Sequence, residues 1–203
     1  QLPDQREMAI QVLSWITSAK RPLTTIELLN ALAIEHGSSE FDQSNLPDLV
    51  DVVSVCAGLV TVDEQSDIIR LVHYTTQEYF QRTCTSWFPN AHREIATSCL
   101  TYLSFDAFEA GSCPTDEKFE ARLCQYPVYS YAARNWGHHC RTQDVEDKLA
   151  SCLLGNASKL DACVQGIFAE QQVRGYSGYS QEIPKQFTGL HLAAFFGLEG
   201  IAQ

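Results

Sequence analysis

The sequence predicts a mainly α-helical protein that begins with a winged helix carrying a small β-hairpin wing. Apolar residues recur at helical spacing through most of the 203 residues, which favours helices over strands. Between residues 59 and 74, however, two short β-rich runs are separated by only two residues, and this arrangement is typical of a hairpin. Helices on both sides of the hairpin predict a winged helix, then an α-helical linker domain and a final helix pair.

Three helices are predicted before the hairpin. The first covers REMAIQVLSWITSA, and its apolar stripe is formed by Ala9, Val12, Leu13 and Ile16. Thr24 and Glu27 have the spacing of a capping box and open the second helix, TIELLNALAI. Asn45 is expected to cap the third helix, with Pro47 in its first turn. The apolar side of this third helix consists of Leu49, Val52, Val53 and Cys56.

The predicted wing consists of LVTVDE and DIIRLVHY, which are joined by Gln-Ser. Strand alternation in the second run places His73 on the same face as Ile69 and Leu71. A fourth helix, TQEYFQRT, follows at once. Thr75 and Glu78 have capping-box spacing, so we expect them to start this helix.

From Pro89 onward the pattern is wholly helical. Five amphipathic segments follow one another with short breaks, which is typical of a helical stack or bundle. The next segment, QQVRGYSGYSQEIPKQF, has no helical period and is rich in turn-forming residues, so it is predicted to be a connector. The apolar stripes of the five helices are Ile95, Cys99 and Leu103; Phe119 and Leu123; Tyr129, Ala132, Ala133, Trp136 and Cys140; Leu149, Cys152 and Leu153; and Leu160, Cys163, Val164 and Ile167.

The last segment is similar to the ankyrin helix signature T-P-L-H-x-A, with Gly189 in place of the proline. We expect Thr188 and His191 to close the turn through side-chain to backbone hydrogen bonds. Leu190, Ala193 and Ala194 are expected to face the core. One repeat cannot bury its own apolar faces, so this helix pair should lean on the preceding helices. The predicted domains are a winged helix over 1–88, a helical linker over 89–172, a connector over 173–187 and the start of an ankyrin array over 188–203.

Three strings in this chain resemble the segment that follows the NACHT ATPase in fungal NACHT–ankyrin proteins, which are NLR-like members of the STAND class. These strings are VLSWITSAKRPLTTIELLNALAI, LVDVVSVCAGLVTVDEQSDIIRLVHYTTQEYF and YAARNWGHH. The resemblance implies a winged helix of the GPI inositol-deacylase-like type and a non-catalytic, cytoplasmic relay between ankyrin-repeat sensing of protein partners and the NACHT domain. No phosphate-binding loop of the form G-x-x-x-x-G-K-[ST] occurs in this sequence, so ADP or ATP is expected only with the upstream domain.

His73 is the candidate binding residue. The string RLVHYTTQEYF is similar to the NLR winged-helix motif in which a histidine reaches the β-phosphate of ADP, so the resemblance implies this contact for His73 in the full-length protein. An imidazole N–H donates well to a phosphate oxygen, and the contact would favour a closed, ADP-bound arrangement. The alternative is that His73 is simply hydrogen-bonded in the core.

The charge balance argues against nucleic acid and against an anionic membrane surface. The formal net charge is −11, whereas binding to phosphates requires clustered Lys and Arg. The predicted third helix, which would enter the major groove of DNA, carries Asp48 and Asp51 and no basic residue. Between Pro22 and Ile69 there are nine acidic residues and no Lys or Arg, so contact with DNA would be repulsive.

No metal site is predicted. The eight cysteines contain no C-x-x-C pair, and several share helical faces with apolar residues, which favours buried free thiols in a reducing cytosol. A secreted disulfide framework is the alternative. His138, His139 and Cys140 are adjacent in a helix and point about 100° apart, so they cannot converge on one ion. Cys140 is expected in the core, and one histidine is expected to complement the dipole at the helix end.

No catalytic residue is assigned. The acidic strings VEDK and TDEKFE are interpreted as solvated helix starts, where Asp116 and Glu117 complement the dipole. Tyr176 and Tyr179 in the connector either contact a partner or pack internally. Two alternatives to the relay remain: a passive interaction scaffold that caps the ankyrin array, and a hydrolase. A hydrolase would need a concave pocket that holds a nucleophile within reach of a base.

Overall fold

The computed structural model describes residues 3–142, 147–169 and 177–199, and this part of the chain is mainly helical with one small antiparallel sheet, which confirms the predicted fold class. The helices are α1 (Pro3–Ser18), α2 (Thr25–Leu32), α3 (Leu49–Val55), α4 (Tyr74–Trp87), α5 (Ala91–Leu103), α6 (Asp116–Gln125), α7 (Tyr129–Cys140), α8 (Asp147–Gly155), α9 (Ala157–Phe168) and α10 (Gly189–Phe196). The strands are β1 (Leu23–Thr24), β2 (Val60–Asp63) and β3 (Ile68–Leu71).

The sheet contains the predicted hairpin and one further strand. The strand order is β1-β3-β2, and Ile69 of β3 lies opposite Leu23 on one side and Val62 on the other. Sequence reasoning missed β1 because its two residues are too few to show strand alternation. The order helix, strand, two helices, hairpin is that of a winged helix.

The predicted caps of α2 and α3 have different outcomes. The capping box of Thr24 and Glu27 is present at the start of α2, as predicted. The prediction that Asn45 caps the third helix is wrong, because the side chain of Asp48 accepts from the backbone N–H of Val50 at 2.7 Å and α3 starts only there. The residue before a proline is disfavoured in the helical conformation, and Leu46 before Pro47 is extended.

The predicted capping box of Thr75 and Glu78 is also wrong. Helix α4 begins one residue earlier, at Tyr74, and its N-cap His73 makes no side-chain capping bond. The carboxylate of Glu78 instead accepts a hydrogen bond of 2.6 Å from the hydroxyl of Tyr74. A side-chain pair at i and i+4 on the helix surface has therefore replaced the expected cap.

Helix α7 is the centre of the helical region. It contacts α5, α9 and α10, and its buried residues surround the helix: Tyr129, Ser130, Tyr131, Ala132, Ala133, Trp136, Gly137 and His139. All eight cysteines are described and are free thiols. The apolar stripe predicted for α8 is wrong at Cys152, which is exposed, whereas Leu153 is buried.

The described part of the connector, residues 177–187, is fixed by buried polar contacts. The carboxylate of Asp116 accepts from the backbone N–H groups of Gly178 and Ser180, so Asp116 does more than complement a helix dipole. The amide of Gln165, fully buried, bonds Cys113 and the carbonyl of Ser180. Tyr179 is buried and therefore packs internally. Tyr176 lies outside the described residues, as does the VEDK string before Asp147.

Helix α10 has the predicted turn chemistry but presents a different face to the core. The side chains of Thr188 and His191 bond each other's backbone N–H groups, as predicted. The predicted core positions are wrong for Leu190, which is 62% exposed, and for Ala194, which is also exposed. The buried residues are Leu192, Ala193 and Phe196. The second helix of the predicted pair lies outside the described residues.

Two glycines set the orientation of α10. A Cβ atom at Gly137 of α7 would overlap the ring of Phe196, so this ring rests directly on the α7 backbone. A Cβ atom at Gly189 would lie 2.6 Å from the carbonyl oxygen of Leu154 in α8. These two close approaches turn Leu190 and Ala194 towards solvent.

We predict that Gly137→Ala displaces α10. Alanine normally stabilises a helix by about 1 kcal/mol relative to glycine, but here its methyl group would occupy the space of the Phe196 ring. Amide hydrogen exchange should show lost protection over residues 189–196. The control is Gly155→Ala at the end of α8, where a Cβ atom meets no heavy atom within 4 Å. Equal protection of α10 in both variants would contradict the prediction.

Candidate functional site

His73 lies in the link between the wing and α4. Strand β3 ends at Leu71, and His73 is the N-cap residue of α4 with an extended backbone. Its side chain is exposed, so the alternative interpretation of His73 as a core residue is wrong. The reason is that the extended strand ends two residues before His73, and the alternation with Ile69 and Leu71 therefore ends as well.

The start of α4 has the polarity of a helix N-terminus, and His73 lies beside it. The backbone carbonyl of His73 accepts from the N–H groups of Thr76 and Gln77, whereas N–H groups earlier in the first turn of a helix have no partner within the helix. The first turn of α4 contains no acidic residue. The partial positive charge of the helix terminus and the exposed imidazole therefore lie at the same place.

The exposed face of α3 carries no basic residue. Val50, Asp51 and Ser54 are exposed there, and Val50 is 74% exposed. On the wing, the guanidinium of Arg70 lies 3.3 Å from the carboxylate of Asp63. The surface that reads DNA in other winged helices is thus acidic and apolar here.

His138, His139 and Cys140 point to different surroundings, as their adjacent positions predict. The ring of His138 packs edge-on against Phe196, with 5.1 Å between the ring centroids. The ring of His139 is fully buried on another side of α7, where Nδ1 lies 2.8 Å from Nδ1 of His92. Both histidines are in the last turn of α7, but burial lowers the pKa of each, which disfavours the positive charge that would complement the helix dipole.

His139 belongs to a buried hydrogen-bond network that sequence reasoning missed. Its Nε2 atom lies 2.9 Å from the hydroxyl of Tyr131, and the backbone N–H of Lys20 donates to that hydroxyl oxygen at 3.2 Å. The hydroxyl hydrogen then has His139 Nε2 as its acceptor, which leaves the proton of the neutral imidazole on Nδ1, facing His92. This assignment gives every polar atom along the network from Lys20 to His139 a partner.

Tyr131 connects the winged helix to the helical region. Besides its bond from Lys20, its ring lies 5.9 Å from that of Trp15 in α1, and the guanidinium of Arg21 lies over it at 5.3 Å. Arg21 in turn forms a double hydrogen bond, 2.6 and 2.8 Å, with the carboxylate of Glu27 in α2. The spacing of these residues along the sequence gives no indication that they meet.

The surroundings of this network favour the neutral form of both histidines. Burial, with smaller contributions from His92, Lys20 and His138, lowers the pKa of His139 to about 3. Burial and the nearby Lys20 also lower the pKa of His92. Among the described residues, the charged groups acting on this region are Lys20 and Arg141, and both are cationic, so none of them favours protonation of either ring.

An open cleft between α1, residues 31–36 and α5 contains a serine and a histidine in contact. Ser98 Oγ and His36 Nε2 are 2.9 Å apart. However, Ser98 lies within α5, where backbone N–H groups are used by the helix and cannot form an oxyanion hole. Burial lowers the pKa of His36. This pair meets one geometric requirement of a hydrolase, but the backbone around Ser98 supplies no oxyanion hole.

We predict that Tyr131→Phe destabilises the chain by about 1–3 kcal/mol, because the N–H of Lys20 and Nε2 of His139 both lose a buried partner. The measurement is the free energy of unfolding in urea. Tyr74→Phe is the matched control, since Tyr74 is 74% exposed, and its effect should stay within about 0.5 kcal/mol. Similar effects of the two substitutions would contradict the assigned role of the Tyr131 hydroxyl.

We also predict that stability falls as the pH drops below about 6.5. A histidine with a lowered pKa in the folded state is protonated first in the unfolded state, so acid favours unfolding between about 6.5 and the folded pKa of about 3. The free energy of unfolding should fall by up to about 1.4 kcal/mol per pH unit for His139. Urea unfolding across this range measures the slope. Imidazole NMR signals of His139 that titrate near pH 6.5 in the folded protein would contradict the prediction.

Comparison with known proteins identifies the first part of the chain. Residues 1–89 match the family described as "GPI inositol-deacylase, winged helix domain". Neither the curated proteins nor the solved structures contain a significant match to the chain. None of the described helices is both long and apolar enough to cross a lipid bilayer. This match and the order of helices and strands together support a winged helix over residues 1–89, followed by a helical region.

Proposed function

We propose that this chain is a non-catalytic regulatory and relay segment of an NLR-like intracellular signalling ATPase of the STAND class. In this proposal a NACHT domain precedes the winged helix, ankyrin repeats follow α10, and the described helices couple ligand sensing at the repeats to the ATPase. The setting is cytoplasmic and fungal. Protein partners bind through the repeats, and the chain contacts neither nucleic acid nor membrane.

The observation that carries the proposal is the continuous apolar core. A single cluster of buried residues extends from Val12 in α1 to Leu198 after α10, so the winged helix and the helical region share one interior. Close-packed interiors transmit displacements because they move between discrete arrangements rather than deform gradually. A shift at α10 would therefore reach α7, then α5 and α1, through packed contacts.

The position of His73 supports the nucleotide end of the relay. Its imidazole is exposed at the N-terminus of α4, and α4 contacts both α1 and β3. A phosphate of ADP held by a preceding NACHT domain would receive the imidazole N–H together with the favourable field of the helix terminus. Loss of this contact on opening would bias α4 and hence the shared core.

The second candidate function is a passive interaction scaffold that caps an ankyrin array. The docking of α10 on α7 and α8 supports this alternative equally well, because a capping unit also needs a buried seam with the first repeat. A scaffold makes no use of His73. The hydrolase alternative is supported only by the Ser98–His36 contact, and we propose no catalytic role for that pair.

We expect His73→Ala in the full-length protein to release ADP about tenfold faster or more, since a hydrogen bond to a charged group contributes about 1.5–3 kcal/mol. The measurement is the dissociation rate of a fluorescent ADP analogue. Thr75→Ala is the matched control, because Thr75 is exposed in the same turn and should leave the rate unchanged. Equal rates for wild type and His73→Ala would favour the scaffold over the relay.

A further inference from the structure

The cleft between the winged helix and the helical region has the size and composition of a small-molecule site. Its volume is about 790 Å³, within the usual range for ligand pockets. One wall is α1, another is the segment 31–36, and the third is α5. A molecule in this cleft would therefore touch both parts of the chain at once.

The floor of the cleft is apolar with a few polar groups. Trp15, Ile34 and Ile95 line the floor with the small part of each side chain that the core leaves uncovered. Ser14 lines the cleft as well and is only 3% exposed, yet its hydroxyl has no hydrogen-bond partner among residues 3–142, 147–169 and 177–199. A buried hydroxyl normally has a partner, so this one is available to a bound molecule.

The rim of the cleft carries more negative than positive charge. Glu7 and Glu94 stand on opposite walls, on α1 and α5, and Arg6 is the only other ionised side chain lining the cleft among the described residues. Neither carboxylate forms an ion pair with a described residue. Burial and the proximity of Glu7 raise the pKa of Glu94, so the two carboxylates interact. Burial of part of the His36 ring lowers its pKa, which disfavours the charged form at this rim.

We propose that this cleft binds a small organic cation with a flat apolar body, such as an amine or amidinium attached to a ring. The apolar body contacts Trp15, Ile34 and Ile95, and the cationic head lies between Glu7 and Glu94. One N–H of the head donates to the hydroxyl of Ser14. The net charge of −11 favours the approach of cations to the chain as a whole.

Such a ligand would lie between the winged helix and the helical region and would contact both. It contacts α1 and α5 simultaneously, so any change in their relative position would alter its affinity, and by linkage its binding would favour one position. Binding itself does not depend on the proposed relay or on His73, and it is testable on the 203-residue chain alone.

The test is a titration of the isotope-labelled chain with benzamidine, followed by amide NMR. Benzamide and benzoate, which keep the ring but carry a neutral and a negative head, are titrated in parallel. We expect benzamidine to shift amide signals in α1 and in α5 together, with benzamide weaker and benzoate inactive. Added salt should weaken benzamidine, because the rim charges are exposed.

Substitutions locate the charge contacts. Glu94→Gln should lower the affinity for benzamidine about threefold, and the double variant Glu7→Gln/Glu94→Gln should lower it about tenfold. These are the effects expected for exposed ion pairs. Ser14→Ala should weaken it by about threefold through loss of one hydrogen bond. Glu117→Gln is the matched control, because Glu117 is an exposed residue of α6 outside the cleft and changes the charge equally.

Several outcomes would overturn the proposal. Equal affinities for benzamide and benzamidine would show that the rim carboxylates do not contribute to binding. Equal weakening by Glu117→Gln and Glu94→Gln would mean general attraction to an acidic protein. Shifts confined to other helices, or no shifts at saturating benzamidine, would exclude the cleft as the site. Far-UV circular dichroism confirms that each variant is folded before its result is used.

Discussion

The hydroxyl group of Tyr131 lies where the winged helix meets the helical region, and it satisfies buried polar groups from both. It accepts from the backbone of Lys20 and donates to His139, while its ring is covered by Trp15 and Arg21. A buried hydroxyl with two partners is directional, whereas apolar packing alone tolerates rotation. This side chain therefore adds a directional constraint on the relative orientation of the two parts that the apolar contact around it lacks.

The shared apolar core predicts how the two regions unfold. When two regions share one core, opening either exposes apolar surface of the other, and the two are expected to unfold together. Helix α7 is the element through which this happens, since it contacts α5, α9 and α10. The winged helix is thus joined to a larger body rather than tethered to it, which is the property that a relay and a rigid cap both need.

The sequence predicted the features whose causes are local. The capping pairs Thr24–Glu27 and Thr188–His191 depend only on residues three apart, and both are present. Asn45 failed because the effect of Pro47 on the preceding residue outweighed cap preference. The exposure of His73 could not be predicted from strand alternation, because alternation stops where β3 ends and the sequence does not show that point.

The features that the sequence could not predict require long-range contacts. The bond between His92 and His139, and the contact between Ser98 and His36, join residues far apart in the chain with no shared motif. The buried face of α10 differed from expectation because it is chosen by its partners α7 and α8 and not by its own pattern.

The close approach of Phe196 to the α7 backbone at Gly137 also bears on how the chain folds while it is being synthesised. Helix α7 leaves the ribosome before α10, so the bare stretch of backbone that receives Phe196 already exists when α10 emerges. The fit of the Phe196 ring against this backbone then sets the position of α10 along α7 and its rotation about its own axis. In this way the docking position of α10 is fixed by residues that are already made when it emerges.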